Sequence, residues 1–127
     1  MRKRISDRRP PVAHRFPPTA YRSPPGNRIT SHPILTFAPG TEVEFSFEDE
    51  ALRGIEGEPI AAALVAGGVK VFRLTEKLHR PRGFFCAVGK CSSCLMEVDG
   101  KPNVMVCMEP LKAGMKVRRQ VGRGRLK

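Results

Sequence analysis

The sequence predicts an α+β domain in which one helix lies across a mixed sheet. Three observations carry this: a strictly alternating stretch near residue 45, a short apolar run with helical spacing near residue 62, and an Asp-Gly pair between apolar runs near residue 100.

Val43, Phe45 and Phe47 alternate with Glu44, Ser46 and Glu48, the period of a strand with one buried face. Asp49-Glu50 is expected to turn it into a short second strand around residues 52–55. EGEPIAAALVAGG then reads as a helix. Pro59 suits a first turn, Glu56 and Glu58 suit the positive end of the dipole, and Gly67-Gly68 is a stop signal. Ile60, Ala61, Leu64 and Val65 provide i, i+4 apolar contacts toward the sheet. Residues 69–72 form an apolar, β-branched run expected to be a buried strand. After a cysteine-rich loop, residues 95–98 read as a strand, Asp99-Gly100 as a hairpin turn and residues 104–106 as its return. Leu111, Gly114, Met115 and Val117 are expected to form a closing turn and strand.

A chain of 127 residues suggests one folded domain and leaves no room for a second, catalytic one. The net charge of +11 is not spread evenly. Residues 1–30 hold seven Arg and one Lys against one Asp, and residues 116–127 hold six basic residues and no acid. Between them, nine basic and eleven acidic side chains leave the folded part near neutral. Three Pro-Pro pairs interleaved with Arg oppose helix and sheet up to about residue 29. The expected organisation is therefore an Arg/Pro-rich extended arm at 1–30, a folded domain at 31–117 and a basic C-terminal tail at 118–127.

No apolar run approaches the roughly 18 residues of a membrane span. MRKRISDRRPP has the charge of an export signal, but VAHRFPPTAYRSPPGNRI behind it is not an apolar segment. A cytoplasmic location is expected, where reducing conditions make structural disulfides a poor use for four cysteines.

Those cysteines, Cys86, Cys91, Cys94 and Cys107, fall as C-x4-C-x2-C-x12-C, the spacing of plant-type [2Fe-2S] sites. Two irons and two sulfides need four converging thiolates, three from one tight loop and the fourth from a neighbouring element. The loop must curl so that its N–H groups face the sulfurs, and Ala87, Gly89, Ser92 and Ser93 are small enough to allow it. Two other uses stay open. A structural zinc site also takes four thiolates but usually shows paired C-x2-C knuckles, of which only Cys91 and Cys94 form one. Disulfides or unpaired core thiols are the other.

With PRGFFCAVGKCSSC, EGEPIAAALVAGGVKVFR upstream and DGKPNVMVCMEPLKAGM downstream, the chain resembles a known family from about Arg28 to Gln120. The resemblance is to the small ferredoxin-like [2Fe-2S] subunits of heteromeric flavoprotein amine and amino-acid dehydrogenases. Proline and hydroxyproline dehydrogenases, opine oxidases, hydrogen cyanide synthase and the N-terminal domain of the sarcosine oxidase large subunit are of this type. It implies the β-grasp fold of plant-type ferredoxins. It also implies that Cys86, Cys91, Cys94 and Cys107 ligate the iron of one [2Fe-2S] cluster, and that electrons arrive from FAD on a partner subunit of a hetero-oligomer. The implied role is an electron-transfer subunit, non-catalytic alone, in a flavin-dependent oxidoreductase acting on a small amine or amino acid of proline, hydroxyproline or sarcosine type.

The oxidised cluster carries −2 with its thiolates, so nearby cations favour reduction; Lys90, between two of the cysteines, is expected to raise the potential, with Arg80 and Arg82 close by. Phe84, Phe85, Val88 and Met108 flank the cysteines and are expected chiefly to pack in the core, secondarily to keep water from the cluster. His32 and His79 are not needed as ligands beside four cysteines, and His79 is expected in a turn or an interface. No G-x-G-x-x-G fingerprint follows a strand, so the chain is not expected to bind FAD or NAD itself.

Two alternatives remain. A free soluble ferredoxin would keep the cluster, although such carriers tend to present acidic rather than basic surfaces. A zinc-stabilised nucleic-acid-binding module would explain the pI near 10.3. Against it stand the near-neutral middle and a single Tyr, and no nucleic-acid partner is expected.

Overall fold

The computed structural model describes residues 28–38 and 40–124. Most of the expected arm, and residues 125–127 of the expected tail, lie outside them. Strands β1 (Glu42–Phe47) and β2 (Glu50–Ile55) form an antiparallel hairpin, with Phe47 opposite Glu50. Its two turn residues are Glu48 and Asp49, one position earlier than expected, and both have positive φ. That is the turn whose twist matches a two-residue hairpin. Alternation in β1 buries Phe45 and Phe47 as predicted.

Helix α1 (Ile60–Ala66) follows, with Ile60, Ala61, Ala63 and Leu64 buried. Its N-terminal N–H groups, which lack partners within the helix, are satisfied from outside: Ile60 donates to the Glu109 carbonyl and Ala61 to that of Val106. The glutamates do not act on the helix dipole as expected, because no acidic residue lies in the first turn. Glu58 instead accepts from the Ile55 N–H at 2.7 Å and takes both terminal nitrogens of Arg28, at 2.8 and 2.5 Å. The helix ends at Gly67-Gly68 as predicted: Gly68 donates to Val65 and Val69 to Leu64, the double bond of a left-handed stop, with Gly68 at φ +87°.

That stop explains why residues 69–72 are not the expected strand. Val69 spends its N–H on the helix end and Phe72 donates to the Arg82 carbonyl, so no ladder forms although Val69 and Phe72 are buried. The pairing starts later, in β3 (Arg73–Leu74) with β4 (Pro81–Arg82), a small second sheet. β5 (Leu95–Val98) and β6 (Lys101–Met105) pair through Asp99-Gly100, both at positive φ as an Asp-Gly turn requires. β7 (Lys116–Arg118) then enters the centre, parallel to β1 and antiparallel to β5. The main sheet runs β2-β1-β7-β5-β6, with α1 across it. This is the expected α+β, β-grasp arrangement. Beyond β7, Arg118 pairs with Asp49 at 2.6 Å and Arg119 lies 4.8 Å above the Phe47 ring. None of the described helices is long and apolar enough to cross a membrane.

Gly54 is where β2 meets the helix. A Cβ there would overlap the Leu111 side chain and sit 2.8 Å from Ala63 Cβ and 2.9 Å from Glu58 Oε1. Leu111 can rotate, but Ala63 belongs to the helix and Glu58 is held by three hydrogen bonds. Gly54→Ala is expected to destabilise the domain by about 1–3 kcal/mol, the cost of overpacking. Chemical denaturation measures it, and an unchanged midpoint would show that the helix can move away freely.

Candidate metal centre

The four cysteines are carried by two elements that the fold brings together. Cys86, Cys91 and Cys94 lie on the loop between β4 and β5, and Cys107 in the turn after β6. Helix α1 holds that turn, since its first two N–H groups grip the carbonyls on either side of Cys107, at Val106 and Glu109. Val106 also donates to the Cys94 carbonyl at 3.4 Å, tying the turn to the loop.

Within the loop, Ala87 (φ 59°) and Gly89 (φ 70°) are both left-handed. This alternation turns successive N–H groups inward, as in an anion-binding nest. The N–H groups of Val88 and Lys90 accordingly point at Cys86 Sγ, at 3.5 and 3.4 Å. Gly89 is demanded twice, because a Cβ would also stand 2.9 Å from Met108 Cγ. Arg73 of β3 clamps the loop from outside, its Nη1 donating to the Ser92 carbonyl at 2.9 Å. Nothing local marks Arg73 as part of the site. It lies 19 residues from Ser92 in sequence, and only the β3–β4 pairing delivers it.

The thiols lie near enough to bear on one another's ionisation: Cys91 acts on Cys86, and Cys107 and Cys91 both act on Cys94. None is in a disulfide. Their environments differ sharply. The N–H groups of Val88 and Lys90, then the Cys91 thiol, lower the Cys86 pKa to about 6. Cys94 is pushed up to about 11, chiefly by burial among apolar side chains. Cys94 and Cys107 belong to the hydrophobic core, while Cys86 and Cys91 are half-buried toward solvent. Among the described residues no three His, Cys, Asp or Glu side chains converge to hold a single metal ion. Four reduced thiols, two half-buried and two buried, with inward N–H donors at Cys86, suit a group with more than one metal atom and a net negative charge.

The flanking apolar residues are not where they were expected. Phe85 is 82% exposed and Val88 61%, and Phe84 and Met108 are also on the surface. They do not fill the core: Phe84, Phe85 and Val88 lie on the loop that turns at left-handed Ala87 and Gly89, and Met108, in the turn after β6, lies against Gly89. Phe84 retains one inward contact, its ring 6.1 Å from that of Phe72. His79 is in a turn as expected, its N–H donating to the Thr75 carbonyl. His32 accepts from the N–H groups of Ile34 and Leu35. Lys90 and Arg82 line a cleft that Cys91 also borders.

Comparison with known proteins agrees with this geometry. Residues 40–122 match the 2Fe-2S iron-sulfur cluster binding domain. The chain is 32% identical over 82 residues to the sarcosine oxidase subunit alpha of Rhizobium meliloti, covering 61% of this chain and 8% of that one. It is 33% identical over 76 residues to the hydrogen cyanide synthase subunit HcnA of Pseudomonas aeruginosa, covering 54% and 73%. Among solved structures, the L-proline dehydrogenase from P. horikoshii superposes with a TM-score of 0.58 at 31% identity, over 68% of this chain and 17% of that one. The chain therefore spans a small part of the sarcosine oxidase and proline dehydrogenase chains it matches and about three quarters of HcnA. Fold, thiol arrangement and the match over residues 40–122 together make this chain a member of the 2Fe-2S iron-sulfur cluster binding domain family, whose role is electron transfer.

Proposed function

We propose that the chain is the electron-transfer subunit of a flavin-dependent oxidoreductase complex that oxidises a small amine or amino acid. In this reading Cys86 and Cys91 hold one iron of the [2Fe-2S] cluster, Cys94 and Cys107 the other, and FAD belongs to a partner chain. The carrying observation is the gathering of four reduced thiols, three on the β4–β5 loop and Cys107 on the turn tied to it, with the Val88 and Lys90 N–H groups aimed at Cys86 Sγ. When bound, such a cluster accepts and gives one electron at a time, linking the two-electron chemistry of a flavin to a one-electron acceptor.

The chain's own residues supply the rest. The Val88 and Lys90 N–H groups stabilise negative charge on the Cys86 sulfur. Burial of Cys94 and Cys107 keeps water from the inner side, so the Cys86–Cys91 side is the one on which electrons cross to a partner. The substrate class is supported by the resemblance to amine and amino-acid dehydrogenase subunits and by the names of two relatives, a sarcosine oxidase and an L-proline dehydrogenase.

The test is purification of the native protein from its source cells. The expected result is a brown assembly containing larger FAD-bearing chains, with iron and sulfide in equal amounts. A brown protein that elutes alone would make it a free ferredoxin. Colourless protein holding zinc would overturn the reading altogether.

A further inference from the structure

Arg28, Arg53, Arg118 and Arg123 each have a carboxylate of this same chain as partner, in Glu58, Glu42, Asp49 and Glu76 respectively. The cations beside the candidate metal centre do not. A cleft of about 880 Å³ opens against Cys91, and Arg73, Arg82 and Lys90 all line it, with the Ser92 and Ser93 residues between. Arg73 is engaged with the Ser92 carbonyl. Among the described residues, neither Arg82 nor Lys90 has a carboxylate within 4.0 Å. The single acidic residue in the lining, Glu76, is bridged to Arg123 at 2.9 Å. Phe85, exposed to solvent, stands at the edge.

We propose that this cleft is the electron port of the domain and the seat of an acidic surface on the protein partner, with Arg82 and Lys90 receiving its carboxylates and Phe85 providing the apolar contact. The proposal rests on the electron-transfer reading above and adds to it the side and the charge of the docking face. Charge complementarity selects the occupant. Positive side chains in a concave site focus the field toward whatever enters, and an exposed aromatic next to them is the usual anchor of a protein interface rather than of a small-anion pocket. Position selects the purpose: Cys91 borders the cleft, whereas Cys94 and Cys107 are buried in the core and do not line it.

The same cations also stand near a negatively charged cluster, where they would raise its potential. The two effects separate by the sign of the reaction partner. In the test, the full chain is reduced and the reoxidation of its cluster is followed by stopped-flow absorbance. The oxidants are the cobalt(III)–EDTA anion and the hexaamminecobalt(III) cation. In either case one electron leaves the cluster and reduces Co(III) to Co(II), with no bond to the protein made or broken. A change in potential moves both rates in the same direction; a change at a docking face moves them in opposite directions.

In the Arg82→Glu/Lys90→Glu double variant, oxidation by the anion is expected to slow about tenfold and oxidation by the cation to speed up, within the range of electrostatic steering. The same change of net charge at Lys101 and Lys112, which line a different cleft, is expected to leave both rates close to wild type. Poly-L-glutamate, an acidic polypeptide probe, is expected to inhibit anion oxidation of the wild type but not of the double variant. Equal effects of the two double variants, or rates that shift together for both oxidants, would overturn the proposal. Saturable inhibition by inorganic phosphate at constant ionic strength would make the cleft a small-anion site and overturn it as well. A preparation without iron or sulfide would defeat the underlying electron-transfer reading itself, an outcome visible before any rate is measured.

Discussion

Replacing Cys91 with alanine is expected to bleach the visible absorption of the protein and to stop electron flow from flavin to acceptor. Cys86 and Cys91 are the two less buried thiols, and in the proposed assignment they hold one iron, so loss of Cys91 would leave one thiolate where that iron needs two. Neither the loop nor the turn offers a replacement, because among the described residues no third His, Asp or Glu converges with the cysteines. The fold should outlast the cluster. Cys91 is half-buried at the surface, and the core beneath is closed by Phe45, Phe72, Leu64 and Leu111. Far-ultraviolet circular dichroism should thus stay near wild type while iron and sulfide per chain fall together. Full acceptor-linked activity in a variant shown to lack the cluster would sink the electron-transfer account.

Phe72→Ala is expected to lose about 3–5 kcal/mol of stability, the usual cost of emptying an aromatic site in a core. Phe72 is fully buried and lies in the same apolar cluster as Cys94 and Cys107. Its N–H donates to the Arg82 carbonyl, and its ring meets Phe84 just before the cysteine loop. A cavity there would loosen the base of the loop as well as the core. In denaturant, the visible absorption of the variant is therefore expected to disappear at a lower concentration than in wild type, together with the loss of helix signal. Phe72→Leu, which keeps most of the volume, should recover much of the difference. Equal midpoints for Phe72→Ala and wild type would mean that the loop is supported from elsewhere.

Some of this architecture was open to inspection in the chain because its cause is local. Alternation in residues 43–47 follows from the strand period, the stop at Gly67-Gly68 from glycine's freedom at positive φ, and the turn at Asp99-Gly100 from the same freedom. Other features mislead when read locally. The run at residues 69–72 has strand composition, yet its hydrogen bonds go to the helix end and to Arg82, partners that composition does not reveal. Glu58 has the look of a dipole partner, but Arg28, thirty residues away, takes it. Phe85 and Val88 have the composition of a core, and the left-handed turns around them put them in solvent.

The cysteine spacing by itself pointed to a [2Fe-2S] group over zinc or disulfides, because four thiolates at those intervals can meet only if one loop curls and a second element comes to it. It could not determine how they meet. Which thiols are buried, which face solvent, and that Arg73, Arg82 and Lys90 gather beside Cys91 were decided by tertiary structure. The reason is one of range. The meeting of the Cys107 turn with the cysteine loop and the cationic cleft depend on the helix N-terminus gripping that turn and on β3 meeting β4, contacts between segments far apart in the chain that no local pattern encodes.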